Sequence, residues 1–318
     1  MGEKEKNEKE FYDRLEQKGV TRRDFMKFCT FLTATMGLSA SYVTKVANVF
    51  AAPQKRMPVV WLHFAECTGC SESLLRTMYP WVDEVVLEIL SLEYHETIMA
   101  AAGHQAEENL QEAITKHKGE FICVCEGAIS TKDGGVYGKI GGRTFLEVAK
   151  DVIPKAKFVI AVGQCACYGG IQAAAPNPGG FKGVKEALKL RSIINIPGCP
   201  PNPINMVATI ANYLLLGKLP QLDSVGRPLF AYGKTVHDQC PRRSHFEMGE
   251  FAPAIGSPEA EMGWCLYELG CRGPMTYNNC PTAKYNDGTS WPVEAGHPCL
   301  GCSEPQFWDY MSPFYEPM

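Results

Sequence analysis

Between Pro58 and about Leu216, short continuous apolar runs alternate with stretches of helical periodicity. Val59–Phe64, Phe121–Cys125, Lys157–Val162 and Ser192–Ile196 read as buried strands. The polar opening Ser71-Glu72-Ser73 predicts a helix starting near Ser71, and the segments around Ala100–Lys116, Thr144–Lys150 and Val184–Lys189 read as helices between the strands. Strands alternating with helices predict a parallel sheet with helices on its faces. From about Pro220 the periodicity fades, and Gly, Pro, Asn and Cys become dense. So irregular a region cannot bury a normal core, so disulfides or metal must hold it.

The first residues carry a different pattern. Thr21-Arg22-Arg23-Asp24-Phe25-Met26-Lys27 has the form of a twin-arginine export signal, followed by a mildly apolar stretch from Phe28 to about Phe50. Val49-Phe50-Ala51-Ala52 offers small residues for cleavage after Ala51 or Ala52. Lys45 interrupts the stretch, which is too weakly apolar for a membrane span. Residues 1–52 are therefore expected to be a signal peptide, 53–220 an α/β domain and 221–318 an irregular C-terminal domain.

Composition narrows the functional classes. Hydrophobic residues make up 45% of the 318 and charged residues 21%, as in a soluble globular protein. Of 31 Lys/Arg and 35 Asp/Glu, nine and seven lie in residues 1–51, leaving the remainder net acidic. That sign argues against nucleic acid as a partner.

Thirteen of the fourteen cysteines lie beyond the leader. Cys67 and Cys70 follow the first strand, Cys165 the third and Cys199 the fourth, so an open parallel sheet would gather all four at one edge. Gly69, Gly163, Gly169 and Gly198 let the loop backbones pass close to a bulky group. Four thiolates without histidine suit a [4Fe–4S] cluster or tetrahedral zinc. Cys123 and Cys125 alternate within a strand and read as buried packing, whereas Cys167 competes with Cys165 as a ligand.

The second constellation runs His237-x2-Cys240-x24-Cys265-x5-Cys271-x8-Cys280-x18-Cys299-x2-Cys302. It divides into His237, Cys240, Cys265 and Cys271, enough for a [4Fe–4S] cluster or a Cys3His zinc site, and Cys280, Cys299 and Cys302, which suit a [3Fe–4S] cluster. His63, His245 and His297 read as locally satisfied. Two rival classes remain at this point: a zinc-stabilised exported binding module, and a disulfide-stapled exported protein with one cysteine left unpaired.

The runs Trp61–Ser73, Val162–Gly170, Ile196–Pro203 and Trp291–Cys302 closely resemble the small subunits of [NiFe] hydrogenases, and the resemblance extends over essentially the whole chain. It implies a flavodoxin-like first domain and an electron relay of three clusters. The proximal [4Fe–4S] cluster would use Cys67, Cys70, Cys165 and Cys199. The distal [4Fe–4S] cluster would use His237, Cys240, Cys265 and Cys271, and the medial [3Fe–4S] cluster Cys280, Cys299 and Cys302. Pro292 stands where some relatives supply a fourth cysteine, in keeping with three irons.

The resemblance also implies a heterodimer with a large subunit that holds the nickel–iron centre, so this chain relays electrons and holds no hydrogen-cleaving site. A c-type cytochrome or a membrane cytochrome b would accept the electrons. Glu66, beside Cys67, is a candidate for moving protons near the interface. Oxygen-tolerant relatives carry extra cysteines where Gly69 and Gly170 stand here, which implies an ordinary proximal cluster and an oxygen-sensitive enzyme. The chain ends at Phe314–Met318 without the C-terminal hydrophobic helix of membrane-bound relatives. A periplasmic form, exported by the twin-arginine route and with no transmembrane helix of its own, is therefore expected.

Overall fold

A computed structural model describes residues 3–17, 19–51, 56–76, 90–286 and 288–317. Five strands, β1 (Met57–His63), β2 (Leu90–His95), β3 (Ile122–Glu126), β4 (Phe158–Val162) and β5 (Ile194–Ile196), form one parallel sheet in the order β2-β1-β3-β4-β5. Each neighbouring pair is parallel. This is the strand order of flavodoxin-like folds, whose ligands sit outside the strand C-termini where the winding direction reverses. β3 shows why the runs are continuous. Ile122 and Val124 pack on one face with Val59, Ile160 and Ile194. Cys123 and Cys125 pack on the other with Val60, Leu62 and Ala161. Both faces are buried, so no polar alternation survives.

The first three helices, in the segment expected to be a leader, are α1 (Glu3–Gln17), α2 (Arg22–Thr35) and α3 (Val43–Ala51). The body adds α4 (Gly69–Leu75), α5 (His104–Lys116), α6 (Phe145–Val152), α7 (Gly163–Tyr168) and α8 (Pro203–Leu216). Leu110 and Ile114 of α5 and Val148 and Val152 of α6 cover the cysteine face of the sheet. At α6 the Thr144 hydroxyl accepts from the Glu147 N–H (3.2 Å), and the Glu147 carboxylate accepts from the Thr144 N–H (2.7 Å). That reciprocal cap fixes the start read from the sequence.

Three features depart from the sequence reading. β2 was not expected: Ser91 and Glu93 interrupt its apolar run, as suits an edge strand paired on one side only. α8 was not expected either, although Asn202 caps it and Pro203 occupies its first turn. The leader, expected to stand apart from the fold, packs Phe28, Leu32, Val46 and Phe50 against Ile204, Val207 and Ala211 of α8. Its apolar residues recur at helical spacing and find α8 as a partner face.

After α8 the chain forms helical turns of three to five residues and isolated bridges. Its buried apolar cluster has seven residues, centred on Trp291, Val293 and Leu266. All fourteen cysteines are free thiols, which removes the disulfide-stapled reading. Among the described residues no helix is long and apolar enough to cross a membrane.

Candidate functional site

Cys67 and Cys70 lie just beyond β1, Cys165 beyond β4 and Cys199 beyond β5, at one edge of the sheet. Thr68 takes a left-handed conformation (φ 62°) that turns the chain from β1 into α4 between the two cysteines of the pair. The thiols feel one another. Burial pushes Cys70 well up, and Glu126, Cys165, Cys167 and Cys199 push it further. Burial likewise lifts Cys165 to about 11, with Cys67 adding to the effect. Cys70 is buried and Cys165 half-buried, but Cys67 and Cys199 are exposed, so this edge is open on one side.

Glycines press against these sulfurs. A Cβ on Gly69 would lie 3.2 Å from Cys67 Sγ, one on Gly170 2.4 Å from Cys165 Sγ, and one on Gly163 2.3 Å from Cys70 Sγ. Of the leftover cysteines, Cys123 and Cys125 have no exposure and Cys167 has 5%, all inside the core. Cys167 turns inward and donates to Ala161 O (3.3 Å), away from the edge.

The sequence reading missed Glu126. It is the last residue of β3, 1% exposed, and aimed at the start of α4. Its carboxylate accepts from the N–H groups of Cys70 (3.0 Å) and Ser71 (3.1 Å), from the Ser71 hydroxyl (2.6 Å) and from Trp61 Nε1 (3.1 Å). The signal was available: a charged residue ending an otherwise apolar strand at the edge that gathers the cysteines. Beside it, His63 Nδ1 lies 3.3 Å from Glu66 Oε1. Burial works against a proton on His63, but Glu66, Glu126 and Glu96 outweigh it and hold the imidazole above its usual value. Burial, helped by His63, takes His95 down to about 3, and burial lifts Glu96 to about 7.

His237, Cys240, Cys265 and Cys271 line one small cavity. Cys280, Cys299 and Cys302 line another, together with Cys199 and Pro292. The half-buried His237 has its ring edge-on to Phe246 at 4.7 Å, and His245 is satisfied by Glu250 (2.5 Å). Burial raises four of these thiols, and the backbone N–H two residues on works against it: Arg242 at Cys240, Tyr267 at Cys265, Gly273 at Cys271 and Gly301 at Cys299. Such amide donors stabilise thiolate charge and tune a bound cluster.

The three groups form a chain of contacts. Cys199 lines the same cavity as Cys302, and the Cys299 N–H donates to Cys271 Sγ (3.3 Å). Iron–sulfur clusters fit this donor set, with glycines at the sulfurs and amides aimed at thiolate positions.

A flavodoxin-like sheet with cysteine clusters at its switch edge, followed by a cysteine-bound region of little apolar core, defines an iron–sulfur electron carrier. Residues 67–213 match the family described as NADH ubiquinone oxidoreductase, 20 Kd subunit. Residues 232–315 match the family described as the C-terminal part of the NiFe/NiFeSe hydrogenase small subunit. The chain is 56% identical over 306 residues to periplasmic [NiFe] hydrogenase small subunit 1 of Nitratidesulfovibrio vulgaris, covering 96% of each. It is 47% identical to the quinone-reactive Ni/Fe-hydrogenase small chain of Wolinella succinogenes, covering 96% of this chain and 86% of that one. The structure superposes on that of the Ni-Fe-Se hydrogenase from Desulfomicrobium baculatum in its reduced, active form. The TM-score is 0.78 at 39% identity, over 83% of this chain and all of that one. The chain belongs to the small subunits of [NiFe] hydrogenases, the electron-transfer part of a heteromeric hydrogenase.

Proposed function

We propose that this chain relays electrons between the nickel–iron site of a large subunit and an external acceptor, through three clusters held in order. Cys67, Cys70, Cys165 and Cys199 hold a proximal [4Fe–4S] cluster, and Cys280, Cys299 and Cys302 a medial [3Fe–4S] cluster. His237, Cys240, Cys265 and Cys271 hold a distal [4Fe–4S] cluster. Such clusters supply one-electron chemistry, at potentials set by charge, hydrogen bonds and exposure.

The observation that carries this reading is that Cys199 lines one cavity with Cys280, Cys299 and Cys302, while the Cys299 N–H donates to Cys271 Sγ, as expected of a three-cysteine group lying between the other two. Pro292 lines the same cavity as the three cysteines, where a fourth thiolate would otherwise stand. Glu126 and the amides two residues beyond Cys240, Cys265, Cys271 and Cys299 orient the ligand loops. The exposed Cys67 and Cys199 leave the proximal edge for the large subunit to shield, which would exclude water there. At the far end His237, with exposed Met248, Met262 and Tyr267 on neighbouring segments, suits docking of a c-type cytochrome or a membrane cytochrome b.

Residues 53–220 are the proximal-cluster domain and 221–318 the distal and medial one. Anaerobically purified complex is expected to carry about eleven irons on this chain. Electron paramagnetic resonance of the oxidised complex is expected to show a [3Fe–4S] signal that survives Cys67→Ser and vanishes in Cys280→Ser. A colourless protein holding zinc alone, or a signal indifferent to Cys280, overturns the assignment.

Residues 1–52 act as a twin-arginine leader, and the mature complex is periplasmic. Arg22 and Arg23 are both exposed at the start of α2, with the Arg22 guanidinium over the Tyr12 ring at 4.7 Å. The double substitution Arg22→Lys, Arg23→Lys is expected to leave the chain uncleaved and cytoplasmic in cell fractionation; normal periplasmic recovery would refute this route.

A further inference from the structure

One buried cation lies between the ligand groups and takes no part in holding a cluster. Arg227, 5% exposed, sits in the loop after α8. Its Nε donates to Asp223 Oδ2 at 2.7 Å. Asp223 Oδ1 accepts from the N–H groups of Val225 (3.0 Å) and Arg227 (2.8 Å), so the loop is shaped around the pair. Arg227 Nη1 donates to Glu304 Oε1 (2.8 Å) and to Ser303 O (3.2 Å). Glu304 in turn accepts from the Tyr277 N–H at Oε1 (2.7 Å) and from Gln164 Nε2 at its carbonyl (2.8 Å). The guanidinium also lies 5.8 Å from the ring centre of Tyr232, whose hydroxyl donates to Pro197 O (2.8 Å).

The sequence positions of these partners matter. Gln164 precedes Cys165, Pro197 stands two residues before Cys199, and Ser303 follows Cys302. Arg227 thus bonds the medial loop directly at Ser303, and two loops of the proximal group meet its partners, Gln164 at the Glu304 carbonyl and Pro197 at the Tyr232 hydroxyl. Burying an ion triad costs desolvation that the pairing does not reliably return, so its use lies in geometry rather than stability. A planar guanidinium suits that use, because its donors leave in fixed directions.

We propose that Arg227 is a positioning residue that sets the spacing between the proximal and medial clusters. The proposal rests on the cluster assignment above. Electron transfer between two centres falls off exponentially with the gap, so loops free to shift relative to one another slow the relay even when every cluster is present.

The test uses the assembled heterodimer. Arg227→Met removes both charge and fork, whereas Arg227→Lys keeps the charge and loses the fork. Three quantities are read: iron content, spin–spin broadening between the proximal and medial signals, and hydrogen-driven dye reduction. A redox titration of the medial signal is added. Both variants are expected to keep full iron, to change the broadening and to turn over severalfold more slowly. Arg227→Met is also expected to lower the medial potential, and Arg227→Lys to leave it in place.

Variants with full iron whose broadening and turnover match the parent overturn the proposal. So does iron loss in both, which would make Arg227 a stabiliser of the sites rather than a spacer. If Arg227→Met does not assemble, Arg227→Lys decides alone on the same readings. A parent complex without the [3Fe–4S] signal overturns the cluster assignment itself, before any Arg227 variant is made.

Discussion

Replacing Gly163 with alanine is expected to strip the proximal site of its cluster while the rest of the chain keeps its iron. Gly163 opens α7 immediately after β4, with φ at +82°. A side chain there carries a left-handed backbone penalty of roughly 1–2 kcal/mol. The larger effect is steric, because the new methyl would stand 2.3 Å from Cys70 Sγ. The sulfur has to move, and Cys70 is the buried member of the pair, enclosed by Val162 O at 3.7 Å and the start of α4. A displaced ligand forfeits the cluster rather than loosening it, so iron content should fall by about four of eleven.

Gly142→Ala is the control. Gly142 has φ at +80° but nothing within 4 Å of its added methyl, so it bears the backbone penalty alone. Equal iron in the two variants, measured after anaerobic purification, would show that the contact with Cys70 does not matter.

The sheet and its cysteine edge were legible because they depend on local signals. Four apolar runs marked β1, β3, β4 and β5, and each of three strand ends carried a thiol or a CxxC. Once a parallel sheet is inferred, all strand C-termini fall at one edge, so Cys67, Cys70, Cys165 and Cys199 meet without further information. β2 escaped because it lacks the continuous apolar run that marks the other strands: Leu90, Leu92 and Tyr94 alternate with Ser91 and Glu93, the weaker signal of a half-buried edge strand. α8 escaped because its apolar residues serve two partners, the sheet through Met206 and the leader through Val207 and Ala211, which blurs the one-sided periodicity of a surface helix.

The hidden part of the site has one physical cause. Asp223, Arg227 and Glu304 lie up to 81 positions apart in sequence and meet only when the C-terminal region folds back on itself. No spacing rule reaches across such a separation. The same holds for the cavity that Cys199 shares with Cys302 and for the Cys299–Cys271 hydrogen bond.

The C-terminal region itself was legible by what it lacks. Its sequence offers little apolar periodicity, and the folded chain has one seven-residue apolar cluster there, which includes Cys280. With the clusters proposed above, a region so poor in core is expected to draw its folding energy from what its thiols bind, which couples metal insertion to folding.

Glu126→Ala is expected to make the proximal site the first part of the protein to fail on heating. The carboxylate serves four donors from two segments: the N–H groups of Cys70 and Ser71 and the Ser71 hydroxyl in α4, and Trp61 Nε1 in β1. Removing it strands the first-turn amides of α4 in a buried setting, and each stranded donor costs about 1–3 kcal/mol. The Ser71 hydroxyl retains His95 Nε2 at 3.2 Å, so the loss is not a full sum. About 3 kcal/mol is a fair expectation, in the upper tail of single substitutions.

The change falls at the junction of β3, α4 and the CxxC pair, so it should appear as faster iron release rather than as altered chemistry. Glu126→Gln separates shape from acceptor capacity. Its amide oxygen still caps Cys70 and Ser71, but its NH2 group faces donors where the second carboxylate oxygen stood, so an intermediate rate is expected. The measurement is the half-life of iron release at fixed temperature in the assembled complex, since cluster loss is irreversible and a rate is the meaningful quantity. If Glu126→Ala releases iron no faster than the parent, the α4 amides find other partners and the carboxylate does not hold the CxxC loop.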